Sequence, residues 1–361
     1  MGTMHHASAR LAIERTLASS AFAEQGLALT LAAAVADLPG ADAGLRQRLV
    51  ERAAAMAPDH APDYRGDLLD APIPDDAAAL AGQLAPVVAA SGATPGLKVA
   101  LLDALCALWP HVATSERRAM RARFLAACVA RPAPAGSAVS AQQLGSWQRD
   151  LPTGTCELPP SVASLKALLN AQQPHHAYRV LAEHFGCAMD LPTLHWVLGA
   201  LTVQVLLHLR DPHGWLVQCL LGTVAGERLA NHTPPEHLAT LASQLGHHLW
   251  WCHARAALPP VRSCLDAPAQ PFLQAVRGGD ITAAQRAART ICSDPIRFWN
   301  EVWTLVDEAV AWDDLQWLRA LSAASAIAWR TGDAMSPDDA AALGAVLADL
   351  AYRSRTAVVA E

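Results

Sequence analysis

The sequence predicts an all-α fold, and three observations support this prediction. Hydrophobic residues make up 52% of the 361 residues and charged residues only 17%, so the chain can build a large apolar core. Alanine and leucine dominate while β-branched residues are sparse, which favours helices over strands. Apolar residues recur at intervals of three and four, as in LATLASQLGHHLWW at 238–251. We expect about 12–16 helices in a multi-helix array or a bundle of helical hairpins.

Proline and glycine divide the sequence into helix-sized segments. The predicted breaks in the first hundred residues are at 38–44, 57–64, 71–76 and 91–96. The longest break, 131–161, predicts either a linker or a loop packed over the core. Its Trp147 favours the packed loop, because a free linker seldom carries a tryptophan. The break separates an N-terminal helical part, 1–130, from a second helical part, 162–361, and the alternative that both pack as one domain stays open.

Capping signals predict where three of the helices begin. The signals are Thr114 with Glu116, Asp294 before Pro295, and Ser336 before an acidic turn. A hydroxyl or carboxylate at such a position accepts a hydrogen bond from a backbone amide of the first turn. Proline is favoured as the first helical residue because its missing N–H has no intrahelical partner there.

An internal repeat is suggested by two segments 107 residues apart. Residues 165–179 align with 272–286, so that Leu165 meets Phe272 and Ala177 meets Ala284. Both segments read as a helix, a short turn and a second helix, and stacking such hairpins would bury faces that neither buries alone. Duplication and chance similarity both explain the alignment. The central histidines have no counterparts in the second copy.

The most apolar segment, LHWVLGALTVQVLLHLRDPHGW at 194–215, contains three histidines: His195, His208 and His213. A buried imidazole without a partner costs on the order of 1–3 kcal/mol, so we expect each to have a hydrogen-bond partner or a ligand. On one helix, His195 and His208 would point about 140° apart and could not bind the same ligand. Each could instead meet its own partner on a neighbouring helix. We expect the helix to end near Asp211.

His208, Asp211 and His213 are candidate metal ligands. Two imidazoles and one carboxylate form the ligand set of a non-haem iron or zinc site. The alternative is that Arg210, Asp211 and His213 simply terminate a helix, where cations are favoured by the negative end of the helix dipole.

Further candidates lie outside this segment. His248 and Cys252 are one helical turn apart and would supply half of a zinc site, or else an aromatic-rich packing face. His184, which follows Glu183, and His195 are candidate acid or base groups. The eleven tryptophans would line an aromatic-ligand pocket or fill the core.

Several function classes are disfavoured by the sequence. The net charge of −6 is spread along the chain without a basic stripe, so we expect no nucleic-acid partner. No P-loop, GxGxxG, GxSxG or HExxH motif occurs. The longest apolar stretch is about 16 residues, short of a membrane span, and no signal peptide is recognised. Eight scattered cysteines without a CxxC pair predict reduced, buried thiols and a cytoplasmic location.

The central stretch resembles questin-oxidase-like helical proteins and the helical regions that accompany Rieske domains. The likeness covers about residues 160–330 and rests on the pattern from Leu198 to His208, then Asp211, His213 and the apolar helix WLVQCLLGTVAGERL. The hairpin segments ALLNAQQPHHAYRVL and AVRGGDITAAQRAA fit the same style. The resemblance implies a ring-cleaving monooxygenase that uses NADPH and oxygen, with His208 and His213 as the carried positions. The family's N-terminal histidine pattern has no counterpart here.

These observations lead to two functional hypotheses. The first is an oxygenase or tailoring enzyme acting on an aromatic or apolar small molecule. It would use NADPH or a non-haem iron or zinc ion, with His208, His213, His195 and His184 as catalytic groups. The second is a non-catalytic helical-repeat scaffold that binds protein partners through a groove.

Overall fold

The computed structural model describes most of the chain after residue 70. The described ranges are 70–90, 95–130, 136–149, 160–185, 191–211, 213–255, 269–312, 314–332 and 334–358, with a few single residues between 9 and 68. Fourteen α-helices and no β-strand occur within these ranges, which confirms the predicted all-α fold. The predicted break at 57–64 lies outside the described residues, as does most of the break at 38–44.

The helices have the following bounds: α1 Ala77–Ala90, α2 Pro95–Leu108, α3 Thr114–Ala130, α4 Ala141–Arg149, α5 Val162–Leu169, α6 Pro174–Ala182, α7 Leu191–His208, α8 Trp215–Leu229, α9 Pro235–Ala254, α10 Phe272–Gly278, α11 Ile281–Ile291, α12 Pro295–Ala309, α13 Asp314–Thr331 and α14 Pro337–Val358.

Two of the three predicted caps form as expected. The carboxylate of Asp294 accepts a hydrogen bond from the amide of Arg297, and proline is the first residue of α12. The hydroxyl of Ser336 accepts one from the amide of Asp339 at the start of α14. Helix α3 begins at Thr114 itself, and the carboxylate of Glu116 accepts a hydrogen bond from the backbone amide of Ala113.

The order of the helices supports the predicted repeat. A short hairpin and three longer helices make up α5–α9, and the same order recurs in α10–α14. The second hairpin helix begins at Pro174 in one unit and at Ile281 in the other, and 281 − 174 = 107. In both units the hairpin packs against the fifth helix. A glycine faces that hairpin in each case, Gly246 in α9 and Gly344 in α14.

Close helix crossings join the units and the N-terminal helices. α7 packs against α14, and α8 packs against α13 on one side and against α2 on the other. At the crossing of α2 and α8, Gly96 and Gly222 face one another. A Cβ atom on Gly222 would lie 2.5 Å from the Cα atom of Gly96, so only glycine permits this approach.

The segment 136–149 packs on α6 and α9. The side-chain amide of Gln244 accepts a hydrogen bond from the amide of Val139 and donates to the carbonyl of Val139 and to the carbonyl of Ala89. The ring of Trp147 lies against the ring of Tyr178 in a tilted arrangement, with centroids 5.6 Å apart. These described residues of the break therefore lie over the helices, while 131–135 and 150–159 lie outside the described residues.

Helix α7 is the one helix of the described chain that is long and apolar enough to cross a membrane. Most of it is buried between neighbouring helices, as in the core helix of a globular fold. The five cysteines in the described ranges are buried free thiols: Cys106, Cys128, Cys219, Cys252 and Cys292.

Candidate functional site

The end of α7 and the loop that follows it contain three of the predicted ligands, but the structure does not bring them together at one point. His208 and His213 are exposed, whereas Asp211 is buried. The Asp211 carboxylate accepts a hydrogen bond of 2.8 Å from the amide of Val217 in the first turn of α8. The His213 ring lies against Trp215, with centroids 4.3 Å apart. Asp211 thus acts on the helix terminus, because a carboxylate is favoured at the positive end of a helix dipole.

The predicted metal site is not present in the described ranges. No group of three or more histidine, cysteine, aspartate or glutamate side chains is placed to hold a metal ion there. The physical reason is that one oxygen of Asp211 is bound to a backbone amide, while the two histidines face solvent. Helix α7 ends at His208, close to the predicted position, but Asp211 caps the start of α8 and does not act on the end of α7.

His195 is completely buried at a crossing of three helices. Its Nε2 atom lies 3.3 Å from the carbonyl oxygen of Leu238 in α9. Its ring lies against Gly226 of α8, where a Cβ atom would be 2.3 Å from Nδ1. Burial lowers the pKa of His195 to about 4, so the ring is neutral near pH 7 and serves to join α7 to α9.

His248 and Cys252 lie together in α9, and the imidazole has a structural partner. The Nδ1 atom of His248 is 3.3 Å from the carbonyl oxygen of Ser137, and Nε2 is 3.8 Å from the Cys252 sulfur. The neighbouring His247 contacts the carbonyl of Gly136 at 2.9 Å. Burial lowers the pKa of His248 to about 4 and raises the pKa of the Cys252 thiol. His247 and His248 therefore hold the start of the segment 136–140 on α9.

His184 lies in the turn after α6 and is also buried. Its Nε2 atom is 3.5 Å from the hydroxyl of Ser164 in the preceding helix. His184, His195, His208 and His248 belong to separate environments in the fold, so the structure does not place the predicted catalytic histidines around one substrate.

Two exposed tryptophans form a surface cluster that was not predicted from the sequence. Arg330 lies over the ring of Trp196, with 5.1 Å from Cζ to the centroid, and Arg228 lies over Trp329 at 4.3 Å. Arg330 also donates a hydrogen bond of 3.0 Å to the carbonyl of Trp196. Gly199 makes room for the Arg330 side chain, because a Cβ atom at Gly199 would lie 2.6 Å from Nη1 of Arg330. We call Trp196, Arg228, Trp329 and Arg330, with Glu227, the Trp–Arg patch.

A half-buried carboxylate, Asp103, and a buried one, Asp339, hold the two arginines of the patch. Arg228 pairs with Asp103 at 3.3 Å, and Arg330 pairs with Asp339 at 3.2 Å. Burial raises the pKa of Asp103 to about 6, although Arg228 opposes this shift. Burial also raises the pKa of the half-buried Glu227, next to Arg330. Charge pairing and ring stacking together fix the two guanidinium groups.

A second feature is a small cleft between α7, α8, α11, α13 and α14. Asp211 and Asp349 line it together with Arg319, and aliphatic side chains form its walls. Both aspartates are more than nine-tenths buried. The cleft lies where the two helical units meet, at the N-terminal end of α8, whereas the Trp–Arg patch lies at the C-terminal end of that helix.

Sequence reasoning missed the Trp–Arg patch because its members are far apart in the chain. One signal was available: Arg228 and Arg330 are the next-to-last residues of α8 and α13, the fourth helices of the two units. The hairpin offset of 107 places Met335 opposite Arg228, so pairing the two arginines requires a shift of five residues between the hairpins and these helices.

No protein-family model matches this chain, and no match was found among curated proteins or solved structures. The resemblance to questin-oxidase-like proteins therefore stays a prediction.

Proposed function

We propose that the protein is a non-catalytic helical-repeat scaffold that binds a protein partner through the Trp–Arg patch. The observation that carries this proposal is the exposure of two tryptophans on one surface, 44% for Trp196 and 37% for Trp329, each backed by an arginine. Tryptophan and arginine are enriched among the residues that contribute most to protein–protein affinity. Their fixed positions lower the ordering cost of binding.

The charges of the patch favour one kind of partner. The guanidinium groups of Arg228 and Arg330 are already paired with Asp103 and Asp339. Glu227 is the remaining carboxylate at the rim. A matching partner segment carries an apolar side chain that packs against the indole rings and an adjacent lysine or arginine that pairs with Glu227.

Selection from a random peptide display library tests this proposal. We expect enriched peptides to share an apolar residue next to a basic one. Trp329→Ala should weaken their binding by roughly thirtyfold or more, because truncation of a central aromatic anchor costs at least about 2 kcal/mol. Tyr352→Ala is the matched control, since Tyr352 is an exposed aromatic outside the patch.

Three outcomes would contradict the scaffold proposal. One is the failure to enrich any binder, and another is equal binding of the selected peptides to the Trp329→Ala variant. The third is self-association that Trp329→Ala abolishes in sedimentation experiments, because the occupant of the patch would then be a second copy of the chain.

The oxygenase predicted from the histidine pattern is a second hypothesis. Its specific support is an apolar cleft that reaches Asp211, on the same loop as His213. Elemental mass spectrometry of the purified protein tests it. About one equivalent of iron or zinc, lost in the double variant His208→Ala/His213→Ala, would favour the oxygenase over the scaffold.

A further inference from the structure

The cleft where the two units meet contains two buried carboxylate oxygens without donors. Asp211 uses Oδ2 to accept from Val217, and Asp349 uses Oδ2 to accept from Arg353 at 2.8 Å. The Oδ1 atoms of both aspartates are buried and have no hydrogen-bond partner in the described part of the chain. An unsatisfied buried acceptor costs about 1–3 kcal/mol, and more when it is charged. Two such atoms in one cleft point to a ligand that donates hydrogen bonds.

The surrounding charges restrict what the ligand can be. Arg319 donates to the carbonyl of His213 at 2.8 Å, and its charge acts on Asp211. Arg353 holds the other oxygen of Asp349, and Arg210 is half-buried among the lining residues. Arg319 and Arg353 thus each donate to a specific oxygen, and the two Oδ1 atoms are left as acceptors for a small donor group.

The volume of the cleft and the chemistry of its walls further narrow the class of ligand. The whole cleft has a cavity volume of about 20 Å³, enough for one water-sized group, and it is partly open to solvent. An ammonium group has this size, carries three N–H donors and matches carboxylate charge. A planar guanidinium is larger. The walls are buried aliphatic side chains: Leu206, Val217, Ile281, Val346 and Leu350. An alkyl chain attached to the ammonium group would therefore leave through the open side of the cleft.

We propose that this cleft binds the head group of a primary alkylammonium ligand, with the ammonium group donating to Asp211 and Asp349 and the alkyl chain extending out of the open side of the cleft. The proposal is independent of the partner proposed for the Trp–Arg patch, because the two features lie at opposite ends of α8.

Calorimetric titration of the intact protein with n-butylammonium chloride at about pH 8 tests the proposal, since an alkylamine remains protonated there. We expect saturable binding and a rise in the unfolding temperature that grows with ligand concentration. Neutral n-butanol and sodium chloride should produce neither effect. The absence of saturable butylammonium binding would show that water or protonation satisfies these oxygens and would overturn the proposal, as would equally tight binding of butanol or sodium.

Matched charge-removing variants locate the site. Asp349→Asn should weaken butylammonium binding by roughly ten- to a hundredfold, the loss typical of a charged hydrogen-bond acceptor. Asp338→Asn removes a carboxylate from the same helix, where it pairs with Arg289 outside the cleft, and should leave binding unchanged. Asp349 is preferred over Asp211 for the test, because Asp211 also caps α8. Equal losses in both variants, or no loss in Asp349→Asn, would contradict the proposal.

Discussion

Gly222→Ala should destabilise the protein by about 3 kcal/mol or more, the upper range for overpacking a tight interior contact. The added methyl group would meet the backbone of Gly96 on α2, and backbone atoms cannot move aside as the end of a flexible side chain can. Relief would require α2 and α8 to separate, which would open the contact between the N-terminal helices and the first helical unit. Chemical denaturation followed by circular dichroism measures the loss.

Gly82→Ala is the matched control for this prediction. Gly82 is also helical, but a Cβ there would meet nothing within 4 Å. Alanine should be neutral or should stabilise α1 by up to about 1 kcal/mol, because it favours helix more than glycine does. If Gly222→Ala were as stable as Gly82→Ala, the close crossing of α2 and α8 would be incorrect.

Between pH 7 and pH 4, the free energy of unfolding of His195→Gln should rise by about 3 kcal/mol relative to that of the parent chain. The pKa of His195 is lowered to about 4 by burial, while an unfolded histidine titrates near 6.5. The unfolded chain therefore binds a proton as pH falls through this window and the folded chain does not, so His195 removes stability from the fold at acid pH. Glutamine can replace Nε2 as the donor to Leu238 and has no such titration.

The measurement is the difference in unfolding free energy between the variant and the parent chain at each pH. This difference should move in favour of the variant as pH falls, even where other groups change the stability of both proteins. Asp103 is one such group: its raised pKa of about 6 stabilises the fold as pH falls below that value. A His195→Gln difference that is flat with pH would contradict a neutral buried imidazole.

Much of the fold was predictable because it follows from local chemistry. The spacing of leucine and alanine predicts the helices, and Asp294 with Pro295 marks where α12 begins. The repeat was visible in the hairpins, where the 107-residue offset reproduces the start of the second hairpin helix. The close approach of Gly96 to Gly222 was not predictable, because a small residue in a helix does not identify which helix it will face.

The site was less predictable because histidine has several physical roles. Nδ1 of His195 is buried without a partner in the described part of the chain, but Nε2 of His195 and Nδ1 of His248 meet the backbone carbonyls of Leu238 and Ser137. Sequence spacing cannot distinguish such a carbonyl from a ligand. The Trp–Arg patch was hidden for a different reason: Trp196 and Arg330 meet only after the two units have packed together.

The packing of α7 against α14 has a consequence for how the chain reaches its folded state. The apolar surface of α7 is synthesised before residues 209–336, yet part of its cover comes from a helix that follows them. During synthesis on the ribosome, part of the apolar surface of α7 therefore stays exposed to solvent until the second unit has been made. Nascent chains arrested before Pro337 should accordingly recruit chaperones that recognise exposed aliphatic surface, and those extended beyond Val358 should release them.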